Sequence, residues 1–77
     1  MNYLIIGLGN QGIKRSKTIN KKNFSTIDPF NLQADFKTID EAIKFSKLKF
    51  SSAIICTPDL IKYEMIIKCL HYNLHVL

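Results

Sequence analysis

The chain of 77 residues has no tryptophan, three glycines, two prolines, two cysteines and six acidic residues, and no long apolar run. Each scarcity excludes something. The first apolar block stops at Gly7, far short of the ~20 residues of a membrane span, and lacks the basic lead of a signal peptide. A cytoplasmic protein with no membrane partner is expected. Cys56 and Cys69 lack C-x-x-C spacing and lie in apolar stretches, so they read as reduced core thiols rather than a disulfide framework or a zinc site. His71 and His75 do not complete a metal pattern with them: His71 reads as a solvated helix-end residue and His75 as a structural strand residue.

The shortage of acids against eleven Lys and Arg leaves a net charge of +5. Such a balance points to nucleic acid only where the cations gather on one face beside a recognised module. Here they run from Lys14 to Lys68 through nearly every polar segment, and no nucleic-acid partner is expected. Without repeats or low-complexity tracts, the chain reads as one small globular domain, short enough that its core is marginal.

What is present is an alternation of strands and helices. Tyr3 to Ile6 is a short apolar block of the kind buried on both faces of a parallel sheet. Glycines follow at once, and a helix is expected from about residue 10 or 11 to Ile19. Phe24 to Asp28, rich in β-branched and aromatic residues and closed by Asp-Pro, predicts a second strand. Residues 31–36 read as loop with a very short strand before Thr38. Thr38 to Glu41 is a capping box opening a helix to about Lys47, with Ile39, Ala42 and Ile43 as its apolar stripe. Ser52 to Cys56 is a third buried-type strand. Thr57 suits the N-cap and Pro58 the first turn of a helix reaching about Tyr72. Its inward face is expected at Leu60, Tyr63, Ile66, Ile67 and Leu70, with Glu64 and Lys68 paired outside. Asn73 suits a left-handed position, and Leu74 to Leu77 predicts a last strand that leaves an open edge. The order β-α-β-α-β-α-β implies a Rossmann-like parallel sheet with flanking helices.

Gly7, Gly9 and Gly12 are spaced G-x-G-x-x-G between a predicted strand and a predicted helix, the context a dinucleotide fingerprint requires. The first makes the tight turn, the second lets backbone approach a pyrophosphate, and the third allows close helix–strand packing. Phosphates then meet the amides and dipole of the helix N-terminus. Asp28 closes the second strand about 20 residues on, where an acid hydrogen-bonds the adenosine ribose and disfavours a 2′-phosphate; it also suits an Asp-Pro turn, and the two roles are compatible. Thr57 and Pro58 lie at the carboxyl edge of a later strand, where ligands bind in open α/β sheets, though a helix start alone explains them equally. Lys62 can lean over that edge and otherwise reads as part of a solvated helix face. Tyr3, Tyr63 and Tyr72 read as core-edge aromatics.

At this point the chain resembles the Gfo/Idh/MocA group of NAD(P)-dependent oxidoreductases, over its whole length. The resemblance rests on "GLGNQG", the acid after strand two, "TIDEAI", "SAIICTPD" and "LHVL". It implies an N-terminal NAD(P)-binding Rossmann domain over residues 1–77, with NAD preferred over NADP. The implied cofactor contacts are Gly7, Gly9, Asn10, Gln11, Gly12, Asp28, Thr57 and Pro58. It further implies hydride transfer to or from a sugar, cyclitol or related hydroxyl or ketone in a full-length protein, which can be oligomeric. Arg15 and Lys62 stand where relatives often carry histidine, and Asn73 where they often carry glycine. The family's Glu-Lys-Pro motif, with its catalytic lysine, and its substrate domain fall beyond Leu77, so a cofactor-binding fragment without turnover is expected and no catalytic residue is assigned within it. An NAD-sensing module without chemistry and a methyltransferase-like domain for S-adenosylmethionine are the alternatives.

Overall fold

A computed structural model describes residues 2–9, 17 and 23–77. The elements are β1 (Tyr3–Ile6), β2 (Phe24–Ile27), α1 (Ile39–Phe45), β3 (Ser52–Ile55), α2 (Asp59–His71) and β4 (His75–Val76). The strands form one sheet in the order β2-β1-β3-β4, and every pair is parallel. The chain is therefore a Rossmann-like α/β fold. The first predicted helix lies outside the described residues apart from Lys17, which is helical. Expected strand positions are met to within a residue or two at their ends.

β1 is central, with Tyr3, Leu4, Ile5 and Ile6 in register with Phe24 to Ile27 on one side and Ser52 to Ile55 on the other. A strand flanked on both sides and covered on both faces has no polar face to present, which is why its sequence is a continuous apolar run. Leu4, Ile5 and Ile6 are all buried. Leu4 and Ile6 share a face with Ala53 and Ile27 and build the core with Ile39, Ala42, Cys69 and Leu74. The steps from β2 to β3 and from β3 to β4 advance in the same direction across the sheet. Right-handed crossovers therefore put α1 and α2 on the same face, and contacts of Asp40 with Lys68 and Tyr72 join them.

The edge of β2 is closed by the segment that follows it. The Thr26 amide and hydroxyl both donate to Asp35 Oδ2, at 2.9 and 3.1 Å, and the Asp35 amide donates back to Thr26 Oγ1 at 3.0 Å. Phe36 then forms a single parallel bridge with Ile27, the very short strand expected before Thr38. Edge donors left open would invite pairing with another chain, and this reciprocal set satisfies those of Thr26.

Both helix ends follow local chemistry. Thr38 caps α1, its hydroxyl accepting from the Glu41 amide at 3.1 Å, and Ser46 ends the helix two residues before the expected limit. There the Ser46 side chain accepts from the Leu48 amide at 3.0 Å, which favours a turn over another helical step. Ile39 and Ala42 are buried, while Ile43 is exposed. α2 closes in a Schellman motif: the Asn73 amide donates to the Leu70 carbonyl and the Leu74 amide to the Cys69 carbonyl. Asn73 takes the expected left-handed conformation, φ 60°, and buried Leu74 joins Cys69 in the core.

Three expectations about α2 are corrected. Its N-cap is Pro58, not Thr57, because Pro58 is still extended at ψ 154°, and proline has no side-chain oxygen with which to bond the first turn. Its inward side carries Met65, Cys69 and the following Tyr72, whereas of the five expected residues Ile66 is half-buried and Leu60, Tyr63, Ile67 and Leu70 are exposed, Leu60 at 94%. Lys68 pairs with Asp40 of α1 rather than with Glu64, since its side of the helix lies against the start of α1. Tyr63 is correspondingly an outer-face residue rather than a core-edge one. No described helix is long and apolar enough to cross a membrane.

Candidate functional site

In this strand order the chain leaves β1 toward β2 and later returns to add β3 on the other side of β1. The carboxyl ends of β1 and β3 thus flank a topological switch point, the place where open α/β sheets bind ligands. Backbone bonds tie the three strand ends together. The Gly7 amide donates to the Ile27 carbonyl at 2.7 Å, and the Cys56 amide donates to the Ile6 carbonyl at 2.8 Å.

Gly7 is required by this closure. Its φ is +96°, and a Cβ there would lie 2.8 Å from the Cys56 carbonyl oxygen and 3.2 Å from Thr57 Cγ2. Both the left-handed backbone and the close approach forbid a side chain. Gly9 differs, since a Cβ on it would meet nothing within 4 Å among the described residues and its φ is not left-handed. Packing among the described residues gives no reason for glycine at position 9, and its backbone faces open space at the cleft.

Asp28 is built into the glycine loop. Its Oδ2 accepts from the Leu8 amide at 2.9 Å and its Oδ1 from the Phe30 amide at 2.9 Å. The second bond is the Asp-Pro turn read from the sequence; the first reaches back 20 positions to the turn after β1. A carboxylate has about four lone-pair sites, so beside its one donor from the described residues each oxygen can accept another.

These residues open on a cleft of about 600 Å³, within the range of small-molecule sites. Gly7, Gly9, Asp28, Thr57 and Pro58 all line it, together with apolar Pro29, Phe30, Ile39, Ile61 and Met65 and the cations Lys37 and Lys68. The expected residues Asn10, Gln11 and Gly12 lie outside the described ones. Thr57 Oγ1 is buried without a hydrogen-bond partner among the described residues; a buried hydroxyl so placed costs free energy until something bonds it. Cys56 is at the cleft rather than in the core and only Cys69 is fully buried, so the expectation of two core thiols holds for one of them. Burial pushes the Cys69 thiol up to about 11. Lys62 is not at the cleft; it pairs with Asp59 at 3.5 Å on the solvated side of α2.

Sequence reading missed Lys37, Phe30 and Met65. Nothing in the pattern separates Lys37 from the other lysines, and Phe30 follows Pro29 in what reads only as a turn. At the wall shared by α1 and α2, Lys68 and Tyr72 both donate to Asp40. The Lys68 hydrogen bond, with that of Tyr72 behind it, holds the Asp40 carboxyl below its usual value, and the same contacts raise Lys68 and Tyr72. Lys68 and Asp40 are about half exposed, so solvent screens the pair. No group of three metal-ligating side chains occurs among the described residues.

No protein family, curated protein or solved structure matches this chain. Function is therefore argued from the site.

Proposed function

We propose that the cleft binds a nicotinamide dinucleotide, NAD in preference to NADP, and that the chain is the cofactor-holding part of an oxidoreductase acting on a sugar, cyclitol or related hydroxyl or ketone. One observation carries the reading: the acid after β2 and the left-handed glycine after β1 meet at the switch point, joined through the Leu8 amide. The two halves of the fingerprint, distant in sequence, form one site.

The residues fit that ligand. Gly9 leaves room for backbone to approach a pyrophosphate, and Lys37 supplies positive charge at a cleft whose described lining carries one carboxylate, Asp28. Asp28 has spare acceptor capacity for ribose hydroxyls and repels a 2′-phosphate. Thr57 Oγ1 is a buried hydroxyl with no partner among the described residues, free to bond a ligand. The bound nicotinamide supplies the hydride chemistry; these side chains bind and orient it.

Calorimetric titration of Asp28→Ala tests the reading. The variant is expected to bind NAD about 1–3 kcal/mol more weakly, the scale of hydrogen bonds to a charged group. Unchanged affinity removes the ribose assignment, and binding of S-adenosylmethionine in place of NAD overturns the dinucleotide reading.

A further inference from the structure

We propose that the outer face of α2 is a docking surface for a second copy of this chain, the two α2 helices packing antiparallel about a two-fold axis.

Leu60, Tyr63, Ile67 and Leu70 are exposed at 94, 71, 48 and 57%. Steps of three, four and three residues make them neighbours along one stripe of the helix. Met65 and Cys69 hold the opposite side of α2 on the sheet, and Lys68 and Tyr72 tie it to α1. The helix is therefore fixed, and the stripe cannot turn inward. It presents roughly 500 Å² of apolar surface, the size of the largest patches on monomeric proteins, which are often functional.

The spacing selects a second copy as the occupant. Leu60, Tyr63, Ile67 and Leu70 fall at successive a and d positions of a heptad, and the steps of three, four and three read the same in both directions. Laid antiparallel on its copy, the stripe sets Leu60 opposite Leu70 of the second copy and Tyr63 opposite Ile67. Such self-complementarity is what a two-fold interface requires. Two stripes together bury about 1,000 Å², the lower bound for a specific interface, so the dimer is weak and reversible.

Charge agrees with this pairing although the chain carries +5. The lysines of α2 are engaged within the chain, Lys62 with Asp59 and Lys68 with Asp40. In the antiparallel arrangement half-buried Ile66 lies beside its own copy on one flank, and exposed Glu64 beside its own copy on the other. The two Glu64 carboxylates oppose association, which gives a substitution there the opposite sign to one in the seam. Ile61 and Met65 line the cleft from the other side of the helix, so pairing leaves the cleft open and is independent of what it binds.

The test is sedimentation equilibrium of the chain, with circular dichroism confirming that each variant is folded; the substituted positions are exposed, so the fold is expected to persist. Wild type is expected to show a monomer–dimer equilibrium with a dissociation constant of about 10–500 µM. Leu60→Glu and Leu70→Lys are each expected to weaken it by at least about 10-fold, since each sets an unpaired charge in the seam. Combined in one chain they place opposite charges face to face, and at least about 3-fold of the loss is expected to return. Glu64→Gln is expected to tighten the dimer by about 2- to 5-fold. A folded wild-type chain that stays monomeric to about 1 mM overturns the proposal, as does a dimer that Leu60→Glu leaves unchanged. A combined variant weaker than either single one, or a looser Glu64→Gln dimer, overturns the antiparallel arrangement. Association that continues beyond the dimer overturns two-fold closure.

Discussion

Two glycines of one motif have different physical justifications. Gly7 is demanded by the protein: its left-handed φ and the Cys56 carbonyl at 2.8 Å from a virtual Cβ leave no room for alanine. Gly7→Ala should cost about 2 kcal/mol or more, from backbone strain and steric clash together, measured by chemical denaturation. Gly9→Ala meets nothing within 4 Å among the described residues, so its stability should stay within about 1 kcal/mol of wild type while NAD affinity falls. If both variants lose stability equally, Gly9 is structural and the phosphate reading loses its support. At this scale Gly7 and Asp28 were legible because each answers to a backbone requirement that sequence displays. The bond from the Leu8 amide to Asp28 was not, since it joins residues brought together only by strand pairing.

The elements show where periodicity decides and where it fails. α1 was readable from Thr38 because a cap is local chemistry, and the Schellman close of α2 was readable from Asn73 for the same reason. The inward face of α2 was not readable, because apolar residues lie on most of its circumference and two stripes compete. Tertiary packing chose Met65, Cys69 and Tyr72, which meet the sheet beside Leu74, and left Leu60, Tyr63, Ile67 and Leu70 outside. Leu60→Ala should therefore change stability by no more than about 0.5 kcal/mol. Cys69→Ser, which buries a hydroxyl in the core, should cost about 1–3 kcal/mol; denaturation midpoints showing the reverse order would restore the other face. The tie between α1 and α2 has a pH signature. Asp40 is held below its usual 3.8, so its contribution is present above that pH and disappears as pH falls through the lower folded value. Lys68 and Tyr72 are raised above 10.5 and 10.0, so theirs is present below those values and is lost as pH rises through the folded ones. These are one interaction seen from its partners. In thermal melts across pH, Asp40→Asn should flatten both limbs, whereas a profile parallel to wild type would show that the tie adds nothing.

For the whole molecule, the order β2-β1-β3-β4 turns scattered motifs into a site. Alternating strand and helix signals made the parallel α/β architecture legible, because only a covered sheet accommodates strands as apolar as β1. The cleft itself was half legible: its rim of Gly7, Gly9, Asp28, Thr57 and Pro58 was expected, while its apolar floor at Ile39, Ile61 and Met65 depends on how α1 and α2 settle on the sheet. The central claim, that the switch-point cleft holds a nicotinamide dinucleotide, is tested most directly by following the backbone amides of the isotope-labelled chain by NMR as NAD is added. Saturating shifts are predicted at Gly7, Leu8, Gly9, Asp28, Phe30 and Thr57, with the outer face of α2 silent. A folded spectrum left unchanged by millimolar NAD would contradict the claim.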